Sequence, residues 1–156
     1  MQMHLQYMQQ AIEMAQKSVS VGGGPFGAVV VQNGKIVASE HNQVTLTCDP
    51  TAHAEVVAIR SACRQLGRFN LSDCQLYTSC FPCPMCIGAI YWAHVGKVWY
   101  ASTPVDAAQA GFDDQFIYEE LALPIGKRQV SLVQLAPPET GNEFVLWRVK
   151  LDRIDY

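Results

Sequence analysis

The sequence predicts an α/β layered domain with a mixed central sheet of about five strands. Three observations carry that expectation. Strand-like runs at residues 26–31, 36–40, 76–79, 97–102 and 130–135 are interspersed with stretches of helical periodicity. The first two runs are joined by a tight turn, whereas helical stretches separate the later ones, so parallel pairing is expected there. Hydrophobic residues make up 49% of the chain and charged residues only 16%, the composition of a packed globule rather than a disordered segment.

Each element has a local reason. In residues 2–19, Leu5, Met8, Ile12, Ala15 and Val19 fall on one helical face, and the run ends at Gly22-Gly23-Gly24-Pro25. The runs 26–31 and 36–40 meet around Asn33-Gly34, the strongest short hairpin signal. Asp49-Pro50 reads as an N-cap followed by proline at the first helical position, opening a helix to about Leu66. Residues 76–79 form a short buried strand, and Cys83-Pro84 opens another helix to about Ala93. After the strand at 97–102 come a short helix near 112–121, the strand at 130–135 and a last helix over about 143–155. No repeat or linker interrupts the 156 residues, so 1–156 reads as one domain.

The formal charge of −3 argues against binding a nucleic-acid backbone. The eleven Lys and Arg residues are scattered, with the nearest clusters at Lys127-Arg128 and 148–153. A small free substrate is therefore expected, with no nucleic acid and no membrane as partner. Six cysteines occur at 48, 63, 74, 80, 83 and 86 without an apolar N-terminal run of signal-peptide type. A reducing, cytoplasmic setting is expected, in which Cys-x-x-Cys binds a metal or performs redox chemistry.

His53, Cys83 and Cys86 supply one imidazole and two thiols, the three protein ligands of an open zinc site. Both segments are expected at helix starts, where partial positive charge favours the metal-binding thiolate. Alone, His53 reads more readily as a hydrogen-bonded core histidine. A fourth ligand from Cys80 would close a structural Cys3His site, and a redox Cys-x-x-Cys is a further alternative. Neither gives a role to Glu55. Two thiolates neutralise Zn²⁺ and weaken it as a Lewis acid, so a nearby base is needed, and Glu55 is the carboxylate the motif provides. One tension stands in this reading: residues two apart on a regular helix point about 200° from one another. His53 and Glu55 can share a pocket only if it opens toward the helix end.

His-x-Glu followed by Pro-Cys-x-x-Cys is similar to the signature of zinc-dependent nucleobase deaminases. Beyond that motif the chain resembles the bacterial guanine deaminases of the cytidine and deoxycytidylate deaminase superfamily. The resemblance rests on GGPFGAVVV (23–31), DPTAHAEVVAIR (49–60), LYTSCFPCPMCIGAIYWA (76–93), AGFDDQFIY (110–118) and the terminal Asp155-Tyr156. It implies a three-layer α/β/α sandwich of cytidine-deaminase type, one zinc ion per subunit, and a homodimer. In some members the C-terminal segment, here about 137–156, crosses to the partner subunit. The implied reaction is hydrolysis of guanine to xanthine and ammonia, with Glu55 moving protons. The resemblance also implies that Phe26 and His53 enclose the purine, with Trp92 lining the pocket. Asn42 would hydrogen-bond the base, Asp114 would hold the amine under attack at C2, and Tyr156 would cap the site. The chain departs from the pattern at Phe81, where relatives commonly carry an acidic residue; Glu143 is the candidate substitute. Alternatives are deamination of another aminopurine, a purine nucleoside or an aminotriazine, a tRNA adenosine deaminase, and a zinc-stabilised interaction module without turnover.

Overall fold

A computed structural model describes residues 1–156. The chain falls into two compact units, Met1–Gln115 and Phe116–Tyr156.

In the first unit, helix α1 (Gln2–Ser20) leads into strands β1 (Gly27–Gln32) and β2 (Lys35–His41). A single turn, α2 (Val44–Thr47), precedes α3 (Ala54–Leu66), β3 (Cys74–Cys80), α4 (Pro84–Trp92), β4 (Lys97–Ser102) and α5 (Pro104–Gln109). Asn33 and Gly34 both take positive φ, 49° and 75°, so the hairpin has the double left-handed turn its sequence signals. Strand order is β2-β1-β3-β4, with β1 antiparallel to both neighbours and β3 parallel to β4. The sheet is mixed, as expected.

It has four strands rather than five. Residues 130–135 belong to no strand, and Val133 and Leu135 are exposed. Their β-branched, apolar composition suits a strand, yet a strand exists only where a ladder partner accepts its backbone groups, and none pairs with this run.

Alternation along β1 divides the core into two layers. Ala28 and Val30 pack with Ala54, Ala58, Ile59 and Ala62 of α3 and Ile90 of α4. Val29 and Val31 face the other way, onto Ala11 of α1 and Tyr77 of β3. One helix on one face and two on the other give the α/β/α arrangement. The buried stripe of α1 runs through Ala11, Ala15 and Ser18, while Leu5 and Val19 of the expected apolar face are exposed. Gly27 explains this stripe. A Cβ there would collide with the Ala11 carbonyl and the Ala15 amide, so the helix backbone rests directly on the strand, where only small residues fit.

Asp49-Pro50 does not start α3. Asp49 Oδ1 accepts from the Thr51 N–H (2.8 Å) and hydroxyl (2.7 Å), and the Ala52 N–H closes on the Asp49 carbonyl at 3.1 Å. The aspartate therefore makes a tight turn, and His53 becomes the N-cap with extended φ −64° and ψ 151°. The sequence also carried an unread signal in Thr103-Pro104-Val105-Asp106, a capping box with proline at the helix start that builds α5.

The second unit contains most of α6 (Gln115–Ala122), a 3-10 turn at Ile125–Lys127 and α7 (Asn142–Val149), which ends six residues earlier than expected. Local bonds organise it. The Arg128 guanidinium donates to the carbonyls of Leu121 and Leu123 (both 3.1 Å), and the Gln129 N–H donates to the Glu120 carboxylate (2.7 Å). No residue from 116 to 156 is buried. No helix of the chain is long and apolar enough to cross a membrane.

Candidate active site

Two helix starts meet at the end of β3. His53 caps α3 and Cys83 caps α4, both in extended backbone, and Cys86 occupies the first turn of α4. Pro84 supplies the helical φ immediately after Cys83 at no cost in hydrogen bonding, since the first helical N–H has no intrahelical partner. The His53 Nδ1 atom lies 3.4 Å from Cys83 Sγ and 3.6 Å from Cys86 Sγ, and the two sulfurs are 3.5 Å apart. Zinc–sulfur bonds near 2.3 Å and zinc–nitrogen bonds near 2.0–2.1 Å place the ligand atoms of a tetrahedron roughly 3.5–3.8 Å apart. The three side chains, which form a group able to hold a metal ion, fit zinc in both donor chemistry and spacing.

Cys80 is not a fourth ligand. Its thiol donates to the Thr103 carbonyl at 3.6 Å, away from the group. This leaves three protein ligands, the count of a catalytic rather than a closed structural site.

The angular tension between His53 and Glu55 disappears once His53 is a cap rather than a helical residue. Its extended backbone swings the imidazole out of the helical rotation, toward the pocket that Glu55 reaches from the first turn of α3. Glu55 is only 5% exposed. Its Oε1 accepts from the Thr78 hydroxyl at 3.0 Å, and its Oε2 lies 3.5 Å from Cys86 Sγ. Burial pushes the Glu55 carboxyl above its ordinary range against the pull of its hydrogen bonds. The hydrogen bond between the two thiols, helped by His53, brings the Cys83 thiol down to about 4 despite burial. Cys86 is pushed up by the same bond and by burial. His53 is raised, chiefly by its hydrogen bond to Cys83, with burial opposing.

The remaining expected residues are placed as follows. Phe26 packs against the core layer that contains Ala54, with its ring edge-on to Phe112 at 5.0 Å. The Asn42 side chain is buried beside Gly24, and its Oδ1 accepts from the Val44 N–H at 3.2 Å. Asp113 and Asp114 divide their roles: Asp113 Oδ1 accepts from the Gln115 N–H at 3.0 Å, capping α6. Asp114 is half-buried and near enough to Cys83 and His53 to feel both, its carboxyl raised first by burial and then by the Cys83 thiolate. Trp92 stands apart, 67% exposed at the far end of α4, about 9 Å along the helix from Cys86. Tyr156 belongs to the C-terminal unit, where it is 72% exposed and meets Trp147 edge-on at 6.5 Å. Phe81 places its ring edge-on to Tyr100 at 5.1 Å. The Glu143 carboxylate accepts from the Gly141 N–H at 3.0 Å, an N-terminal contact of its own helix.

Two contacts escaped the sequence reading. Phe112 backs Phe26, and its only trace was its place in the GFDD block. Thr78, which holds Glu55, could have been found as a polar residue at a core-facing position of an otherwise apolar strand.

Residues 1–102 match the family described as the cytidine and deoxycytidylate deaminase zinc-binding region. The chain is 49% identical over 154 residues to a guanine deaminase of Bacillus subtilis, covering 98% of this chain and 99% of that protein. The crystal structure of guanine deaminase from Bacillus subtilis superposes with a TM-score of 0.95, at 49% identity and 98% coverage of both chains. A structure solved with 8-azaguanine is 34% identical, with a TM-score of 0.67 over 69% of this chain and 63% of that one. A tRNA-specific adenosine deaminase of Aquifex aeolicus is 38% identical over 96 residues, covering 62% of this chain and 64% of its own. Likeness to the tRNA enzyme is thus confined to part of the chain, whereas likeness to the Bacillus subtilis enzyme runs nearly end to end. The chain belongs to the cytidine and deoxycytidylate deaminase zinc-binding family and, within it, to the guanine deaminases.

Proposed function

We propose that this chain hydrolyses guanine to xanthine and ammonia, with His53, Cys83 and Cys86 holding one zinc ion and Glu55 as the proton carrier. The observation that carries the proposal is the buried Glu55 carboxyl at 3.5 Å from a metal-ligating sulfur without being part of the ligand group. A structural zinc site has no use for such a group. Zinc, when bound, supplies the Lewis acidity that makes water a nucleophile near neutral pH.

Glu55 takes one proton from the attacking water and delivers it to a ring nitrogen, then takes the remaining hydroxyl proton as the C2 carbonyl forms and delivers it to the departing amine. Its burial suits this cycle, because a carboxyl raised toward neutrality both accepts and returns a proton with little driving force lost. Asp114 accepts from the amine under attack, and the Asn42 amide hydrogen-bonds the base. Phe26 and His53 offer flat faces to the purine, Phe26 being fixed from behind by Phe112. Trp92 and Tyr156 complete the pocket in the assembled protein.

The working form is a homodimer in which residues from about 137 to 156 cross to the partner. Its support is physical: Leu132, Leu146, Leu151 and Ile154 are all exposed in a unit that buries nothing. Exposed apolar surface on that scale marks an interface. Six free thiols suit a cytoplasmic location.

The test is ammonia release from free guanine by zinc-loaded protein, with xanthine followed by ultraviolet absorbance. Turnover with one zinc per chain is the expected result. One bound zinc with no turnover of guanine would shift the substrate to another aminopurine, and Phe81 would be the first residue to change.

A further inference from the structure

Along β3, Cys74 and Leu76 face α3 within the apolar core, and Thr78 continues the same row. A hydroxyl is out of place there unless it serves a partner. Thr78 is 1% exposed and its hydroxyl donates to Glu55 Oε1 at 3.0 Å. Its backbone is pinned on both sides, opposite Ala28 of β1 and Tyr100 of β4. The donor is therefore mounted on a strand paired on both sides and bonded to a side chain with three rotatable bonds.

We propose that Thr78 is a positioning residue that fixes the orientation of the Glu55 carboxyl. Its hydroxyl donates to Oε1 and so holds that oxygen against the sheet, leaving Oε2 turned to the other side. Oε2 is the oxygen beside Cys86, and hence beside the zinc ligands. Fixing Oε1 keeps Oε2 turned toward the reacting centre throughout the cycle. This inference rests on Glu55 acting as the proton carrier.

The experiment compares steady-state kinetics on guanine and zinc content for wild type, Thr78→Val, Thr78→Ser and Tyr77→Phe. Thr78→Val keeps the shape and removes the donor; Thr78→Ala also removes the donor, with a smaller side chain, should the valine variant not fold. Loss of kcat by about 10–100-fold is expected, the scale of losing a group that orients a site residue. KM should stay within about threefold and zinc at one per chain, because the hydroxyl touches neither the purine pocket nor the ligands. Thr78→Ser should restore kcat to within a few-fold. Tyr77→Phe removes a hydroxyl from the neighbouring residue on the opposite face, where it meets His4 Nδ1 at 2.6 Å, and should keep wild-type kcat. Wild-type kcat in Thr78→Val, loss of zinc in step with kcat, or a serine variant as slow as valine would each overturn the proposal. Wild-type protein that binds zinc but deaminates neither guanine nor another aminopurine would remove the proposed function and this inference together. Normal wild-type turnover with an unaffected Thr78→Val would remove this inference alone.

Discussion

Both units of the chain are rich in large apolar side chains, and only one of them buries any. In residues 1–115, helices and strands cover each other, and the sheet is apolar on both faces. In residues 116–156, the helices are secured by contacts within a few turns: Arg128 on its neighbouring carbonyls, Glu143 on its own helix start, Trp147 against Tyr156. Local hydrogen bonds are enough to shape a helix, but they leave its apolar face in water. The difference teaches that the first unit holds the core and the site, whereas the second leaves its large apolar side chains exposed. Mutations should therefore read out differently in the two.

The largest effect belongs to the first unit. Glu55→Gln is expected to lower kcat by about 10²–10⁴-fold, the range of a lost general acid–base group. One zinc per chain should remain and the melting temperature should barely move, since the isosteric amide keeps the volume and the Thr78 contact. His53→Ala, by contrast, should lose metal along with activity. Metal analysis and ammonia release separate the two, and equal activity in Glu55→Gln would end the proton-carrier reading.

Next comes packing. Leu76→Ala removes a fully buried side chain from the core layer around α3 and is expected to cost about 2–5 kcal/mol in urea unfolding. Leu135→Ala, at a residue 92% exposed, should change the stability of the isolated chain by less than about 0.5 kcal/mol. It should weaken self-association in sedimentation instead. Similar unfolding costs at the two positions would erase the contrast between units.

A smaller effect is expected at the tail. Removing Asp155 and Tyr156 should leave zinc content and folding intact and reduce kcat/KM by roughly tenfold, about the scale of one aromatic contact with a bound ring. Full activity in that truncation would take Tyr156 out of the site.

The smallest effect separates surface from site electrostatics. The Asp73 carboxyl is drawn from its ordinary 3.8 to about 2, first by the amide of Gln32 and then by Arg68. A carboxyl depressed in the folded state adds stability above its unfolded value and loses it as pH falls through the folded one. The contribution is therefore complete above about pH 4 and gone near pH 2. Asp73→Asn should flatten the acid unfolding curve in that window without altering turnover at neutral pH. An unchanged curve would show that solvent screens the contact fully.

The parts of this protein legible in its residues were those governed by neighbours in the chain. Asn33-Gly34 wrote its own turn, because two left-handed residues in succession suit that dipeptide. Cys83-Pro84 announced a helix start, and with Cys86 and His53 it announced the metal. Residues 97–102 were read to the residue as β4. Other local signals had two valid outcomes, and only packing chose between them. Asp49-Pro50 suits a helix cap or a turn; Thr51 took both hydrogen bonds of Asp49, and the cap passed to His53. Of the adjacent pair Asp113 and Asp114, the resemblance assigned the second to the amine; the Gln115 amide takes the first, and the second lies near enough to Cys83 and His53 to feel both. Residues 130–135 have the composition of a strand, but a strand is a pairing, and a pairing cannot be written in one segment. The bond from Thr78 to Glu55 joins residues 23 positions apart, beyond the reach of any periodicity. Backbone preferences act over a few residues, whereas burial and hydrogen bonding across the sheet compare the whole chain at once; the second decided how a recognisable motif became a site.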